Sequence, residues 1–293
     1  DFYPPSVEIT APAAGTSFLA GEPITVSVAA SDGHGNPVLT FYVDERRLVD
    51  DTPPYEATLS APAVGAPSDV TLVVEGRDAA GNLTRVTRTL QVSPRGSSDP
   101  PQVAIACPSP GAFLAPGTTM GVSVDAFHAD GVERVDLFVG DDPVPVDYDF
   151  EAPYLLSLTV PADAVPGTTL EVKARARSYA AVTAEVAYSL PVISAVVLSV
   201  DATLAAGDLS LDGQSVVVAA GVLTVEGPHT FQNLAVLDGA TLTHLPSGAT
   251  QPQKLDLSVA EDLFVSCGGS VDVSGLGYPG GFTYSEGASP VHH

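Results

Sequence analysis

Asp141, Asp142, Asp147, Asp149 and Glu151 put five acids into eleven residues with no cation among them. At neutral pH such a cluster repels itself, and a bound Ca²⁺, which takes about six to eight oxygen ligands, would relieve the repulsion. A solvated acidic loop that keeps a protein surface soluble has the same composition, so both readings stand. Asp78 and Asn82 form a second candidate pair in Asp78-Ala-Ala-Gly-Asn82. They can serve as calcium ligands or as a β-turn whose side chains bond their own backbone. Calcium is the one cofactor that these residues suggest.

Other chemistry finds less support. The six histidines, His34, His128, His229, His244, His292 and His293, show no metal-ligand spacing, and no serine sits in a nucleophile elbow or a Ser-x-x-Lys arrangement. Asp208, Asp212, Asp238, Asp256 and Asp272 recur late in the chain, but Lys254 is the only basic residue after Arg177. A polysaccharide lyase or glycosidase reading is therefore poorly supported, and the chain is expected not to be an enzyme. Tyr278, Phe282 and Tyr284 are the one dense aromatic group and the candidate platform for stacking a sugar ring. Cys107 and Cys267 match no metal spacing; one long-range or intermolecular disulfide and two buried thiols are both open.

These residues are set in an acidic background of 11 Lys plus Arg against 35 Asp plus Glu, a formal charge of −24 over 293 residues. Only Lys173 and Lys254 are lysines, so the clustered cations needed to displace phosphate counterions are missing and no nucleic-acid partner is expected. No apolar run approaches the roughly 18 residues of a membrane helix, so no membrane insertion is expected. With 26 Pro, 27 Gly and no Trp, long helices are disfavoured and the chain should be all-β.

The positioning elements come from an internal repeat. Pro5-Ser-Val-Glu-Ile-Thr-Ala-Pro12 returns 96 residues later as Pro101-Gln-Val-Ala-Ile-Ala-Cys-Pro108, and Pro54-Tyr55 returns 99 residues later as Pro153-Tyr154. Phe41-Tyr-Val43 likewise matches Leu137-Phe-Val139. Ile24, Val26, Val28 and Leu72, Val74 alternate with the period of half-buried strands, and about seven short strands fit each copy. Ser93-Pro-Arg-Gly-Ser-Ser-Asp-Pro-Pro101 reads as a short, semi-rigid joint.

The pattern Pro-x-Val-x-Ile-x-x-Pro, then Phe41-Tyr-Val-Asp44, Pro53-Pro-Tyr55 and Asp78-Ala-Ala-Gly-Asn82 resembles the bacterial Ig-like domains of large secreted and cell-surface proteins. The likeness covers residues 5 to 92 well and 101 to 192 less well. It implies immunoglobulin-type sandwiches used as spacer or adhesive modules. The second copy departs from the pattern, because Ala176 and Ala180 stand where the first has Asp78 and Asn82.

From about residue 195 short apolar triplets are punctuated by glycine: Leu209-Ser-Leu211, Val216-Val-Val218, Leu223-Thr-Val225, Leu234-Ala-Val236, Leu255-Asp-Leu257 and Val271-Asp-Val273. Leu211-Asp-Gly-Gln-Ser-Val216 recurs as Leu237-Asp-Gly-Ala-Thr-Leu242 and is echoed by Gly268-Gly-Ser-Val-Asp-Val273, a spacing of 26 to 29 residues. Such spacing fits rungs of a β-helix or β-roll, with a third sandwich as the rival.

The expectation is two immunoglobulin-like β-sandwiches in tandem, residues 1–96 and 97–193, followed by a β-helix-like region, 194–293, incomplete at its C-terminal end. The expected role is a non-catalytic structural or adhesive segment, a stalk or spacer, of a secreted or cell-surface bacterial protein. The alternatives are a self-assembling subunit of an extracellular fibre and an accessory carbohydrate-binding region of a polysaccharide-degrading enzyme. Expected partners are other copies of the chain, a cell-surface polysaccharide or another surface protein.

Overall fold

The structure is a computed structural model that describes residues 2–109, 111–248, 253–277, 282–283 and 291–292. Every regular element in it is a β-strand. The first copy folds into β1 (Ser6–Ala11), β2 (Ser17–Leu19), β3 (Pro23–Ser31), β4 (Val38–Val43), β5 (Arg46–Asp50), β6 (Tyr55–Ser60), β7 (Ser68–Arg77) and β8 (Leu83–Ser93). Two sheets result, ordered β1-β3-β6 and β2-β8-β7-β4-β5. Alternation decides which residues face inward: Val7 and Ile9, Ile24 and Val26, Leu39, Phe41 and Val43, Leu72 and Val74 form one buried cluster between the sheets. Each such side chain contributes about 1.5–3 kcal/mol by leaving water.

The second copy has β9 (Gln102–Cys107), β10 (Thr119–Phe127), β11 (Val132–Val139), β12 (Asp147–Asp149), β13 (Tyr154–Thr159), β14 (Thr169–Ser178) and β15 (Thr183–Pro191). Its sheets, β13-β10-β9 and β12-β11-β14-β15, repeat the strand order of the first copy. Even the parallel pairing of β2 with β8 has a counterpart, a single bridge between Leu114 and Val192.

Residues 196–271 pair differently. The strands are β16 (Val196–Leu198), β17 (Ala202–Leu204), β18 (Val216–Val218), β19 (Gly221–Val225), β20 (Pro228–Phe231), β21 (Leu234–Val236), β22 (Ala240–His244), β23 (Asp256–Val259), β24 (Leu263–Val265) and β25 (Ser270–Val271). They form parallel sheets ordered β16-β18-β21-β24, β17-β19-β22-β25 and β20-β23. Val216, Val218, Leu223, Val225, Phe231, Leu234, Val236 and Leu242 fill a common core.

The structure differs from two expectations. Leu209-Ser-Leu211 is not a strand: Asp208 accepts the Ser210 N–H at 2.9 Å, holding the segment in a turn that leaves Leu209 exposed. Nor does the 26-residue step from Leu211 to Leu237 set the register, although the 29-residue step to the Gly268 echo does, since Thr241 pairs with Ser270 and Leu242 with Val271. Val196 pairs with Val216, Val216 with Leu234 and Leu234 with Leu263, so successive strands lie 20, 18 and 29 residues apart. Register follows columns of inward apolar side chains, and the Asp-Gly turns merely fall where a column ends.

The chain divides into two compact units. One holds residues 1–102 with the segments 126–134 and 176–184; the other holds 103–125, 135–175 and 185–293.

Candidate functional site

The Asp78 carboxylate is used up by its own turn. One oxygen accepts the Asn82 backbone N–H and the other the Asn82 side-chain amide, both at 2.8 Å. Burial pushes against the charged form of Asp78, but these bonds, with the Ala80 and Gly81 N–H groups, hold its pKa below the ordinary carboxylate value.

The acidic segment of the second copy is likewise tied to its own backbone. Asp147 accepts the N–H groups of Tyr148 at 2.9 Å and Ser157 at 2.8 Å, and Asp149 accepts those of Glu151 and Leu155, each at 3.1 Å. Asp142 accepts the Val144 N–H at 2.9 Å. Among the described residues no three His, Cys, Asp or Glu side chains converge as a metal site, so the five acids and the Asp78–Asn82 pair are not drawn together around a common point. Tyr278 and Tyr284 of the aromatic group lie outside the described residues, and so does the Phe282 side chain.

In the second unit Cys107, at the end of β9, is joined to Cys267, in the turn between β24 and β25, by a disulfide spanning 160 residues. The Asp238 carboxylate sits beside the bridge. It accepts the N–H of Gly121 on β10, the hydroxyl of Ser266 at 2.9 Å and the N–H of Gly268 at 2.7 Å. A Cβ at either backbone donor would come to 2.7 Å from Asp238 Oδ1, so a side chain at Gly121 or Gly268 would make the carboxylate shift. Phe264 of β24 meets Phe113 edge-on, with ring centroids 6.4 Å apart. Val217 and Ala235, which share its outward column, are also buried.

A second cluster lies in the first unit. Glu133 is 2 % exposed and lies 3.8 Å from Arg46 and 3.3 Å from Arg177, while its carboxylate also accepts the Ala63 N–H. The Arg46 guanidinium stands 5.8 Å over the Tyr179 ring, whose hydroxyl accepts a bond from it at 3.3 Å. Farther along, His229 is buried with its two ring nitrogens facing Asp212 at 2.8 Å and the Glu226 carbonyl at 3.1 Å. The bond to His229 holds the Asp212 pKa down.

Sequence reasoning missed the roles of Asp238 and Glu133. Their partners are backbone groups or distant arginines, which leave no local motif. Asp238 did carry one faint signal, its place in the Asp-Gly step after Leu237.

An open cleft of about 410 Å³ in the first unit is lined by Tyr42, Asp44, Pro62, Val64, Asp69 and Val73. It has no buried acid–base pair, and nothing in it resembles a catalytic constellation.

Strand order, alternation and the repeated sheets define an all-β protein built on immunoglobulin-like sandwiches. The chain belongs to the bacterial Ig domain family, whose profile matches residues 5–74 and 101–231. The second match runs beyond β15 into the parallel strands. No curated protein matches the chain. Similar solved structures include the fibronectin(III)-like modules of Clostridium thermocellum CbhA, at 23% identity over 64% of this chain and 94% of that one, TM-score 0.28. Bacteroides ovatus SGBP-B, solved with a mixed-linkage heptasaccharide, is 14% identical over 69% of this chain and 51% of that one, TM-score 0.25. The titin domains Z1Z2, in complex with telethonin, are 16% identical over 64% and 96%, TM-score 0.24. At these TM-scores none of the likenesses bears on function.

Proposed function

We propose that the chain is a non-catalytic segment of an exported bacterial surface or extracellular protein. Two sandwiches, residues 1–96 and 97–193, act as a stalk or spacer and carry a short β-helical portion, 194–293. The observation that carries the reading is the bacterial Ig profile matching both copies of the repeat. The β-helical assignment is supported by the parallel, stepwise pairing of β16 through β25. Export is supported by the Cys107–Cys267 bridge, since disulfides persist in oxidising compartments. A charge of −24 suits a solvated surface protein.

Surface location is tested by proteolytic shaving of intact cells of the native bacterium, with detection by an antibody against the first sandwich. Loss of signal from intact cells, or recovery from the medium, is expected. Protection until the cells are lysed would overturn the reading. Incubating the purified chain with plant and algal polysaccharides tests the non-catalytic part, and release of reducing ends would overturn it.

A further inference from the structure

We propose that the Cys107–Cys267 bridge is a tension shunt: force travelling along the chain crosses from sulfur to sulfur and bypasses β10 through β24. The consequence for a living cell rests on the stalk reading above, but the mechanical property does not.

The path of the chain decides which strands bear load. The bridge closes a loop across a sequence separation of 160 residues, which holds most of the second sandwich and nearly all the parallel strands. Without it, tension passing from residue 107 to residue 267 would run through every strand between them. Strands β16 through β24 are three to five residues long and are bonded to sheet neighbours within their own region. Pulled from its ends, such a stack opens one strand at a time, because each short set of hydrogen bonds carries the load alone. A covalent bond between the entry and exit points removes that load.

The surroundings of the bridge keep those two points together. Asp238 binds Gly121 on the sandwich side and Ser266 and Gly268 on either side of Cys267, and Phe113 packs against Phe264 three residues before Cys267. A reductant can open the shunt. Cys267 is exposed and Cys107 half-buried, so a small dithiol can reach the bond. The thiolate of the dithiol attacks one sulfur and expels the other as a thiolate. The mixed disulfide then closes to the oxidised dithiol and frees the second cysteine. In total the protein takes up two electrons and two protons, which the dithiol gives up.

The test is single-molecule stretching of the 293-residue chain, tethered at both ends through non-thiol linkages, before and after dithiothreitol. The fully extended reduced chain should be longer by roughly 530–580 Å, the reach of about 160 extended residues. Stepwise openings from the parallel strands should appear only after reduction. The Cys107→Ser, Cys267→Ser variant should show the longer length in either buffer. This length is read from the unfolded chain, so the natural protein reduced in place gives the answer even if the variant folds poorly. Equal lengths before and after reduction, or two thiols labelled by maleimide in the unreduced chain, would overturn the proposal. Neither result would bear on surface location, which the shaving experiment decides separately.

Discussion

Asp149 closes its turn as Asp50 does 99 residues earlier. Asp50 accepts the N–H groups of Thr52 at 3.0 Å and Glu56 at 3.1 Å; Asp149 accepts those of Glu151 and Leu155, each at 3.1 Å and each 99 residues on. The first copy makes the same brace in a segment that carries Arg46 and Arg47, whereas no cation lies between Asp141 and Glu151 in the second. The brace is therefore part of the sandwich itself, and a metal ion is not needed to account for either carboxylate.

Calcium should then act on this chain only as salt. At one ionic strength, CaCl₂, MgCl₂ and NaCl should change the melting temperature alike in calorimetry, since screening of self-repulsion is common to all three. A larger shift with Ca²⁺ that disappears in Asp147→Asn, Asp149→Asn would instead restore the calcium reading of Asp141, Asp142, Asp147, Asp149 and Glu151. Asp149→Ala should itself cost about 1–3 kcal/mol in urea denaturation, because two backbone donors lose a charged acceptor. Asp50→Ala should cost a similar amount.

Glu133 is a buried charged residue of the first unit. Glu133→Ala leaves Arg46, 9 % exposed, buried without its carboxylate, and breaking a buried pair in this way costs about 3–5 kcal/mol. Urea denaturation followed by circular dichroism measures it. Arg85→Ala, at an exposed ion pair with Glu75, should stay within about 1 kcal/mol of the parent, and equal losses in the two variants would refute the contrast.

Gly269 should tolerate no side chain. A Cβ there would stand 2.3 Å from the Val236 carbonyl oxygen and 2.9 Å from that of Leu237, and backbone cannot move aside as a flexible side chain can. Gly269→Ala is expected to lower stability by about 2 kcal/mol or more. Gly96→Ala, with open space around its Cβ, should be close to neutral. Thermal melts of the two variants side by side provide the check.

Acid should weaken the fold through carboxylates that accept hydrogen bonds. Asp208, Asp212 and Asp272 have folded pKa values below their ordinary value because Ser210, His229 and Ser274 donate to them, and Asp78 is lowered by Asn82 against the opposing effect of burial. A depressed folded pKa means that the stabilisation is fully present above the unfolded value, about 3.9, and is lost as pH falls through the lower folded values. Stability measured from about pH 6 downward should therefore be flat in these groups' contribution until about pH 4 and fall below it. Asp212→Asn should make that fall shallower; an unchanged slope would remove Asp212 from the account.

The amino-acid order by itself determined the sandwiches. Period-2 alternation assigns each strand residue to the core or the surface, as with Ile24, Val26 and Val28, and the 96- to 99-residue repeat carries the assignment from one copy to the next. Short-range turn chemistry such as Asp78 with Asn82 was legible for the same reason, since both partners lie within five residues. Only the tertiary structure decided that Cys107 faces Cys267, that Asp238 binds Gly121, and that Glu133 gathers Arg46 and Arg177. These partners are 44 to 160 residues apart, and one of the relationships ends on a group with no side-chain signature, the Gly121 N–H. The parallel strands fall between the two cases. Their apolar triplets and the 29-residue step were visible, but the shorter steps of 18 to 21 residues were not, because glycine turns mark where a strand stops whereas stacked columns of buried side chains decide which strand lies beside it.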